Sequence, residues 1–222
     1  MLIDALEWLG HSSFRLRAHG GDGGRAATIY IDPYRVTDGP PADLILITHG
    51  HYDHFSPGDV ERLAQERTWL VAPAAVTERL GGRVMSISPG ETIEPEGMRG
   101  VEVRAVAAYN TSKRDAEGRL FHPPDAGWVG YELTVWGERL YHAGDTDVIP
   151  EMDSVAGCDV ALLPVSGTYV MTAAEAAEAA RRIAAGIVVP MHWGEHIGER
   201  ADAEQLARLA PAEVRILAPA GR

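Results

Sequence analysis

The chain has 222 residues, which is enough for one well-filled hydrophobic core, and we predict a single domain over residues 1–222. Lysine and arginine contribute 20 positive charges and aspartate and glutamate contribute 32 negative charges, so the net charge is −12 at pH 7. Such an acidic surface repels phosphate backbones and anionic lipid headgroups, which argues against nucleic-acid binding and membrane-surface binding.

The cysteine content and the lengths of the apolar runs argue against a disulfide-stabilised, secreted or membrane-spanning protein. Cys158 is the only cysteine of the sequence, which excludes an internal disulfide bond. Asp4 and Glu7 stand where a signal peptide would carry basic and then apolar residues. No apolar run approaches the ~20 residues that a membrane-spanning helix needs. We therefore expect a globular cytoplasmic protein without a membrane partner.

Strand patterns dominate the first part of the chain. Apolar or alternating segments predict strands over residues 3–9, 13–18 and 28–31, with a glycine-rich turn at residues 20–24 and an exposed His19 beside it. This order indicates an antiparallel meander. The uninterrupted apolar run at 44–47 is typical of a strand buried on both faces. After it, Ser56 and Pro57 predict the start of a short helix.

The remainder of the chain alternates strands with helices. The predicted elements are strands at 69–72, 84–87 and 98–107, a hairpin of 128–136 with 139–141, a strand at 160–163, a helix after Thr172, a strand at 187–189, a helix near 203–209 and a strand near 214–217. Glu175 stands three residues after Thr172 and predicts a capping box. The order of elements predicts an α/β fold of two packed sheets with helices on both outer faces.

The residues His49, His51, Asp53 and His54 follow the predicted buried strand directly. Three imidazoles and a carboxylate within six residues are costly to hold together without a cation, because each needs a partner and protonated imidazoles repel one another. Imidazole and carboxylate are the ligand types that suit zinc and similar divalent ions. The alternating spacing directs His49 and His51 to one position and Asp53 and His54 to a neighbouring one, which favours two metal ions.

This motif, His49-x-His51-x-Asp53-His54, resembles the signature of the metallo-β-lactamase superfamily of metallohydrolases. Residues 141–147, with the sequence Tyr-His-Ala-Gly-Asp-Thr-Asp, are similar to the superfamily's later Gly-Asp motif, and residues 190–192 are similar to its C-terminal strand-end histidine. Residues 8–14 resemble the start of the branch that includes ascorbate-phosphate lactonases and N-acyl-phosphatidylethanolamine phospholipases. The resemblance implies a four-layer αββα sandwich of two mixed β-sheets flanked by helices.

The resemblance also implies a metal centre and a reaction. Its ligands would be His49, His51 and His122 for the first ion, Asp53, His54 and His192 for the second, and Asp145 as a bridge. The two divalent ions would be zinc, with manganese or iron as alternatives. A hydroxide between the ions would attack a small ester, lactone, amide or phosphoester. The leaving group would take its proton from water, from Asp53 or from a nearby histidine such as His11.

The sequence departs from the superfamily at one ligand position. The third histidine of the first site usually follows a strand in the middle of the chain, where this sequence carries Asn110. Either His122 fills that position or Asn110 or water does, and we expect His122 because zinc prefers nitrogen over an amide oxygen. We expect His142 to be structural rather than a ligand, and Asp147 to cap the segment that follows it.

Two other functions stay open at this point. One is a mononuclear iron dioxygenase on the same fold, and the other is a metal-stabilised binding protein without turnover. The expected partner is a small-molecule substrate, and a homo-oligomer is an open alternative to a monomer. Candidate pocket-lining residues are Tyr109, Lys113, Trp128, Tyr169, Trp193 and His196.

Overall fold

The computed structural model describes residues 1–18 and 26–220, and within them the chain forms two mixed β-sheets. The strands of the first sheet are, in spatial order, β1 (Leu6–Gly10), β2 (Ser13–Ala18), β3 (Ala27–Ile31), β4 (Leu44–Leu46), β5 (Trp69–Ala72) and β6 (Arg83–Ser86). The first three strands pair antiparallel, as the meander prediction expects. From β3 to β6 the pairing is parallel.

The second sheet contains the later strands. They are β7 (Thr92–Ile93), β8 (Val101–Ala107), β9 (Val129–Val135), β10 (Glu138–His142), β11 (Val160–Pro164), β12 (Ile187–Met191) and β13 (Glu213–Val214). Strands β7 to β10 pair antiparallel, and β10 to β13 pair parallel in the order β10-β11-β12-β13. The hairpin predicted around residues 137–138 joins β9 to β10.

Four helices cover the outer faces of the two sheets in the described part of the chain. They are α1 (Pro57–Leu63), α2 (Ala74–Thr77), α3 (Ala173–Ile183) and α4 (Arg200–Leu209). Val60 and Leu63 of α1 pack with alternate residues of the first sheet, such as Ile45. The capping box of Thr172 and Glu175 begins α3 as predicted. None of these helices has the length and hydropathy that crossing a bilayer would need.

The main core lies between the two sheets. It joins inward-facing residues of the first sheet, such as Phe14 and Leu46, to residues of the second, such as Leu133 and Leu162, all of them fully buried. Helices, sheet, sheet and helices form four layers, which confirms the predicted fold class. The extent of a single domain over residues 1–222 stays a prediction, because residues 19–25 and 221–222 lie outside the described part.

Some predicted element boundaries were wrong. The strand predicted over 3–9 begins only at Leu6, because residues 2–5 form a turn of 3-10 helix. Strand β8 begins only after Gly100, whose φ of 80° is incompatible with a strand. The final strand ends at Val214. The glycine-rich turn and His19 lie outside the described residues.

The ends of the strands bring the polar motifs to one edge of the molecule. Strands β4, β10 and β12 all end directly before or within a predicted ligand motif. The end of β4 also contacts the other sheet, where Val129 N donates to Thr48 O at 3.2 Å and Tyr131 Oη donates to Ile47 O at 2.8 Å. Motifs that are nearly 100 residues apart in sequence therefore meet at this edge.

Candidate metal centre

The loop between β4 and α1 carries the histidine-rich motif. Its turn is closed by the carbonyl oxygen of His51, which accepts hydrogen bonds from His54 N at 3.1 Å and from Phe55 N at 2.8 Å. The turn reverses the chain, so the two halves of the motif face neighbouring positions. His49 and His54 are fully buried, and His49 Nε2 lies 3.1 Å from His51 Nδ1.

Asp145 lies at the centre of the cluster. Its Oδ2 atom is 3.3 Å from His122 Nε2 and 3.1 Å from His192 Nε2, and its Oδ1 atom is 3.3 Å from His54 Nε2. Asp145 follows β10, His192 follows β12 and His54 lies in the loop after β4, so segments that follow three strands, together with the loop of His122, supply these four side chains. The carboxylate of Asp145 thus lies between an imidazole of the predicted first site, His122, and two imidazoles of the predicted second site, His54 and His192.

The structure brings together all seven residues that were predicted as ligands. Among residues 1–18 and 26–220, three groups have donor atoms within 4.8 Å of one another, namely His49, His51 and His122; His11, Asp53, His54 and His192; and His49, His54 and Asp145. The first two groups match the two predicted sites, with His11 added to the second. The third group joins the two sites.

Several buried polar atoms of the cluster have no hydrogen-bond partner among the described residues, which indicates that the cluster binds a cation. His54 Nε2, His122 Nε2 and Asp145 Oδ1 make no hydrogen bond within the described part of the chain. A buried polar atom without a partner costs about 1–3 kcal/mol. A divalent ion bound to these atoms would remove that cost, and imidazole nitrogen with carboxylate oxygen is a donor set that such ions accept.

The electrostatics of His49 and Asp145 favour the protonation states that bind metal. His54 differs: burial lowers its pKa, but the carboxylates of Asp145 and Asp32 outweigh burial and raise it well above its usual value. Burial lowers the pKa of His49 far below its usual value, and the neighbouring His54 lowers it further. Burial opposes the carboxylate form of Asp145, but the imidazoles of His192 and His54 outweigh it and hold the pKa of Asp145 well below its usual range. Neutral imidazole and ionised carboxylate are the forms that coordinate a metal.

Asp32 is a central residue that the sequence analysis missed. It is fully buried directly after β3, and its carboxylate accepts hydrogen bonds from Thr48 N at 2.8 Å and Thr48 Oγ1 at 2.6 Å. Its Oδ2 atom also lies 2.7 Å from His54 Nδ1. This contact orients the His54 ring so that Nε2 faces Asp145. In the sequence, the available indication was an aspartate directly after a predicted strand. Its position beside the histidine-rich motif follows only from the parallel pairing of Ile31 with Leu46.

Replacing Asp32 with alanine is expected to destabilise the protein by about 3–5 kcal/mol, because buried donors of Thr48 and His54 lose their acceptor together. Urea unfolding followed by circular dichroism measures the effect as a lower midpoint. The matched control is Asp38→Ala, since Asp38 is exposed and its carboxylate accepts a hydrogen bond from the neighbouring Gly39 N. Equal midpoints for the two variants would contradict the role of Asp32.

Asn110 holds His122 rather than taking its place. Asn110 Oδ1 accepts a hydrogen bond from His122 N at 2.9 Å and lies 2.9 Å from His122 Nδ1. The Nδ2 group donates to Asp147 Oδ1 at 3.2 Å and to Tyr169 O at 2.9 Å. With Oδ1 as acceptor, His122 carries its proton on Nδ1 and directs the Nε2 lone pair towards Asp145. Of the two alternatives, the structure places His122 beside His49 and His51.

Asp147 and His142 stabilise the surroundings of the cluster. The predicted role of Asp147 as a cap for the following segment was wrong, because its carboxylate accepts from Thr111 N and Ser112 N, each at 2.8 Å. It therefore fixes the loop that begins at Asn110. His142 Nδ1 accepts from Gly144 N at 3.1 Å, and His142 Nε2 lies 2.9 Å from Ser12 O. Both ring nitrogens contact backbone atoms, so His142 has a structural role, as predicted.

The backbone around the second group is strained. His11, Asp32 and His192 adopt left-handed φ values of 51°, 46° and 59°, which non-glycine residues rarely adopt. His192 N donates to His11 O at 2.9 Å, and Ser166 Oγ lies 2.9 Å from His192 Nδ1. Strain of this kind is concentrated at functional sites, where the surrounding structure maintains it.

The candidate pocket residues fall into two sets. Trp128 lies against His49 and His51, with ring centroids 4.9 and 4.8 Å apart, and Tyr169 is 39% exposed. The other residues serve the protein itself: Tyr109 donates to Glu151, Lys113 pairs with Glu175, and Trp193 is buried against Trp8. His196 is exposed at the edge of the cluster.

Comparison with known proteins decides the family. Residues 5–192 match the family described as the beta-lactamase superfamily domain. The chain belongs to the metallo-β-lactamase superfamily. This superfamily member is 34% identical over 221 residues to a UPF0173 metal-dependent hydrolase of Thermoplasma acidophilum, and the alignment covers 91% of this chain and 89% of the relative. That similarity places the chain in the UPF0173 family.

Two solved structures have the same architecture. A protein of Parabacteroides distasonis that is named as a metal-dependent hydrolase is 31% identical, with a TM-score of 0.78 and coverage of 95% of this chain and 91% of that one. Igni18, a metallo hydrolase of Ignicoccus hospitalis, is 23% identical and shares the fold, with a TM-score of 0.75 and coverage of 97% and 95%. Membership of the lactonase and phospholipase branch stays a prediction.

Proposed function

We propose that this superfamily member is a hydrolase whose centre holds two divalent ions, with zinc expected and manganese or iron as alternatives. The observation that carries the proposal is the position of Asp145 between two groups of buried imidazoles. The first ion would be held by His49, His51 and His122, and the second by Asp53, His54 and His192, with Asp145 shared. The UPF0173 relatives, which are named as metal-dependent hydrolases, support it.

Two bound divalent ions would lower the pKa of water to about 7 and polarise the carbonyl or phosphoryl group of a small ester, lactone, amide or phosphoester. The protein's contribution is to hold its ligands in a dry, rigid arrangement. Asp32 orients His54, Asn110 orients His122 and Ser166 orients His192, each through the ring nitrogen that faces away from Asp145.

Asp53 and His11 are the proposed proton carriers. His11 Nε2 lies 3.1 Å from Asp53 Oδ2, and His11 Nδ1 has no hydrogen-bond partner in the described part of the chain. Burial lowers the pKa of His11 to about 4, although the hydrogen bond to Asp53 opposes this. The ring is therefore neutral at pH 7. With Nε2–H donating to Asp53, the Nδ1 lone pair can take a proton and pass it to the leaving group.

The test of this function begins with metal content. Elemental analysis of the purified protein is expected to find two ions per chain. Removal by a chelator should abolish hydrolysis of at least one class in a panel of phosphodiesters, lactones, thioesters and amides, and adding zinc back should restore it. The activity is expected to proceed without oxygen, with a small molecule as the substrate and without nucleic acid or membrane.

The same experiment separates the alternatives. One iron per chain together with oxygen consumption would support a mononuclear iron dioxygenase. Full metal occupancy without turnover on the whole panel would support a metal-stabilised binding protein. A cytoplasmic location is part of the proposal, and light scattering of the metal-loaded protein distinguishes a monomer from the homo-oligomer that also fits a protein of this class.

A further inference from the structure

The rings of Tyr34, Tyr52 and His196 lie next to one another beside the second ligand group of the metal centre. We name these three residues the aromatic rim. They come from three different connections, namely β3 to β4, β4 to α1 and β12 to α4. Their ring centroids lie 6.2 Å apart for Tyr34 and Tyr52, 6.0 Å for Tyr52 and His196, and 6.1 Å for Tyr34 and His196. These distances fall within the range of favourable ring pairs.

The rim is fixed in place although it faces solvent. Tyr34 Oη lies 3.1 Å from His196 Nε2 and joins two of the three connections. The guanidinium of Arg35 lies 5.2 Å from the centre of the Tyr34 ring and 3.6 Å from Glu195. Arg35 and His196 both adopt left-handed φ values, of 54° and 43°. A preformed arrangement of this kind presents its rings without the entropy cost of ordering them on binding.

The position of the rim ties it to the chemistry. Tyr52 stands between the predicted ligands His51 and Asp53, and its side chain is 67% exposed. The ring of His196 lies 6.4 Å from the ring of His11, which in turn contacts Asp53. Large exposed apolar side chains are few in the described part of the chain: Met1, Tyr52, Tyr169 and Leu209. An exposed tyrosine at the entrance of a polar site is a ready contact for a bound molecule.

We infer that the aromatic rim is a substrate subsite that takes a flat, apolar group, such as an aryl ring, attached beside the bond that is hydrolysed. This inference rests on the proposed function and adds the class of substrate. An anionic group gains less than an aryl group here, because the Arg35 guanidinium beside the rim is already paired with Glu195 at 3.6 Å. The rings themselves offer faces and edges to an aryl group of the substrate.

Phenylphosphonate and methylphosphonate provide the test, because both can bind divalent ions through the same phosphonate group and differ only in the ring. Isothermal titration calorimetry on the metal-loaded protein is expected to give a Kd about threefold to tenfold lower for phenylphosphonate. In Tyr52→Ala the ratio of the two Kd values should fall towards one, while the ion content stays at the wild-type value. Tyr52→Phe keeps the ring and should keep the ratio.

The outcomes distinguish the subsite from the metal centre. Equal Kd values in the wild-type protein, or an unchanged ratio in Tyr52→Ala, would overturn the subsite and leave the hydrolase proposal standing. If neither phosphonate binds the metal-loaded protein, the subsite is overturned while the ion content still tests the metal centre. If both bind equally well after the metal has been removed, they do not bind at a metal centre, and the subsite fails together with the hydrolase proposal.

Discussion

Replacement of Asp145 with asparagine is expected to lower metal affinity by more than about 100-fold and to abolish hydrolysis. Asparagine keeps the shape of the side chain but removes the negative charge between His54, His122 and His192. Both proposed ions would share this carboxylate, so the binding of both should be affected. Elemental analysis after dialysis, together with titration against a chelating dye, measures the loss.

The control for this variant is Asp38→Asn, which removes an equal charge from an exposed position. It should retain the wild-type ion content and activity. Wild-type ion content and turnover in Asp145→Asn would show that the buried cluster does not work as a metal centre. The comparison also removes the general effect of net charge, because both variants change it from −12 to −11.

Asn110→Ala is expected to lower the affinity for one ion by about 10–100-fold and to leave the affinity for the other ion unchanged. The variant removes the acceptor at 2.9 Å from both His122 N and His122 Nδ1, so the ring loses its orientation and its tautomer. The second group of ligands does not contact Asn110 in the structure. Titration of the metal-free protein with zinc should therefore show one tight site and one weak site where the wild type shows two tight sites.

Two further variants make the test of Asn110 specific. Ser112→Ala changes the same loop by removing side-chain contacts to Asp147 and Lys113, and it should bind both ions normally. His122→Ala should lose the same ion as Asn110→Ala, and the double variant should lose little more, because the two residues act through one interaction. Two tight sites in Asn110→Ala would refute the positioning role, and additive losses would show that Asn110 acts independently of His122.

The histidine-rich motif was the part of the centre that sequence could predict. Leu44, Ile45 and Leu46 form a buried strand, and closely spaced imidazoles follow it within a few residues. This pattern indicates a metal site whatever the rest of the fold is. The fold class was predictable for a related reason, because strand and helix patterns depend on residues that are neighbours in sequence. The resemblance to the superfamily then added Asp145 and His192, which no local pattern joins to the motif.

The partners of the ligands were not predictable in the same way. Asp32 ends a strand that is parallel to β4, and its role depends on the register of Ile31 with Leu46. The sequence places Asn110 and His122 twelve residues apart and leaves open which of them faces the metal. Only the loop held by Asp147 shows that the amide supports the imidazole.

What the sequence by itself determined is the kind of chemistry: the donor types, their spacing around one loop, and the elements on which they stand. The tertiary structure alone decided which atoms meet, how each imidazole is oriented and that Tyr34, Tyr52 and His196 form one rim. The physical reason is that donor identity is a property of each side chain. Convergence instead depends on strand order, register and long-range hydrogen bonds, which are set by packing over the whole chain.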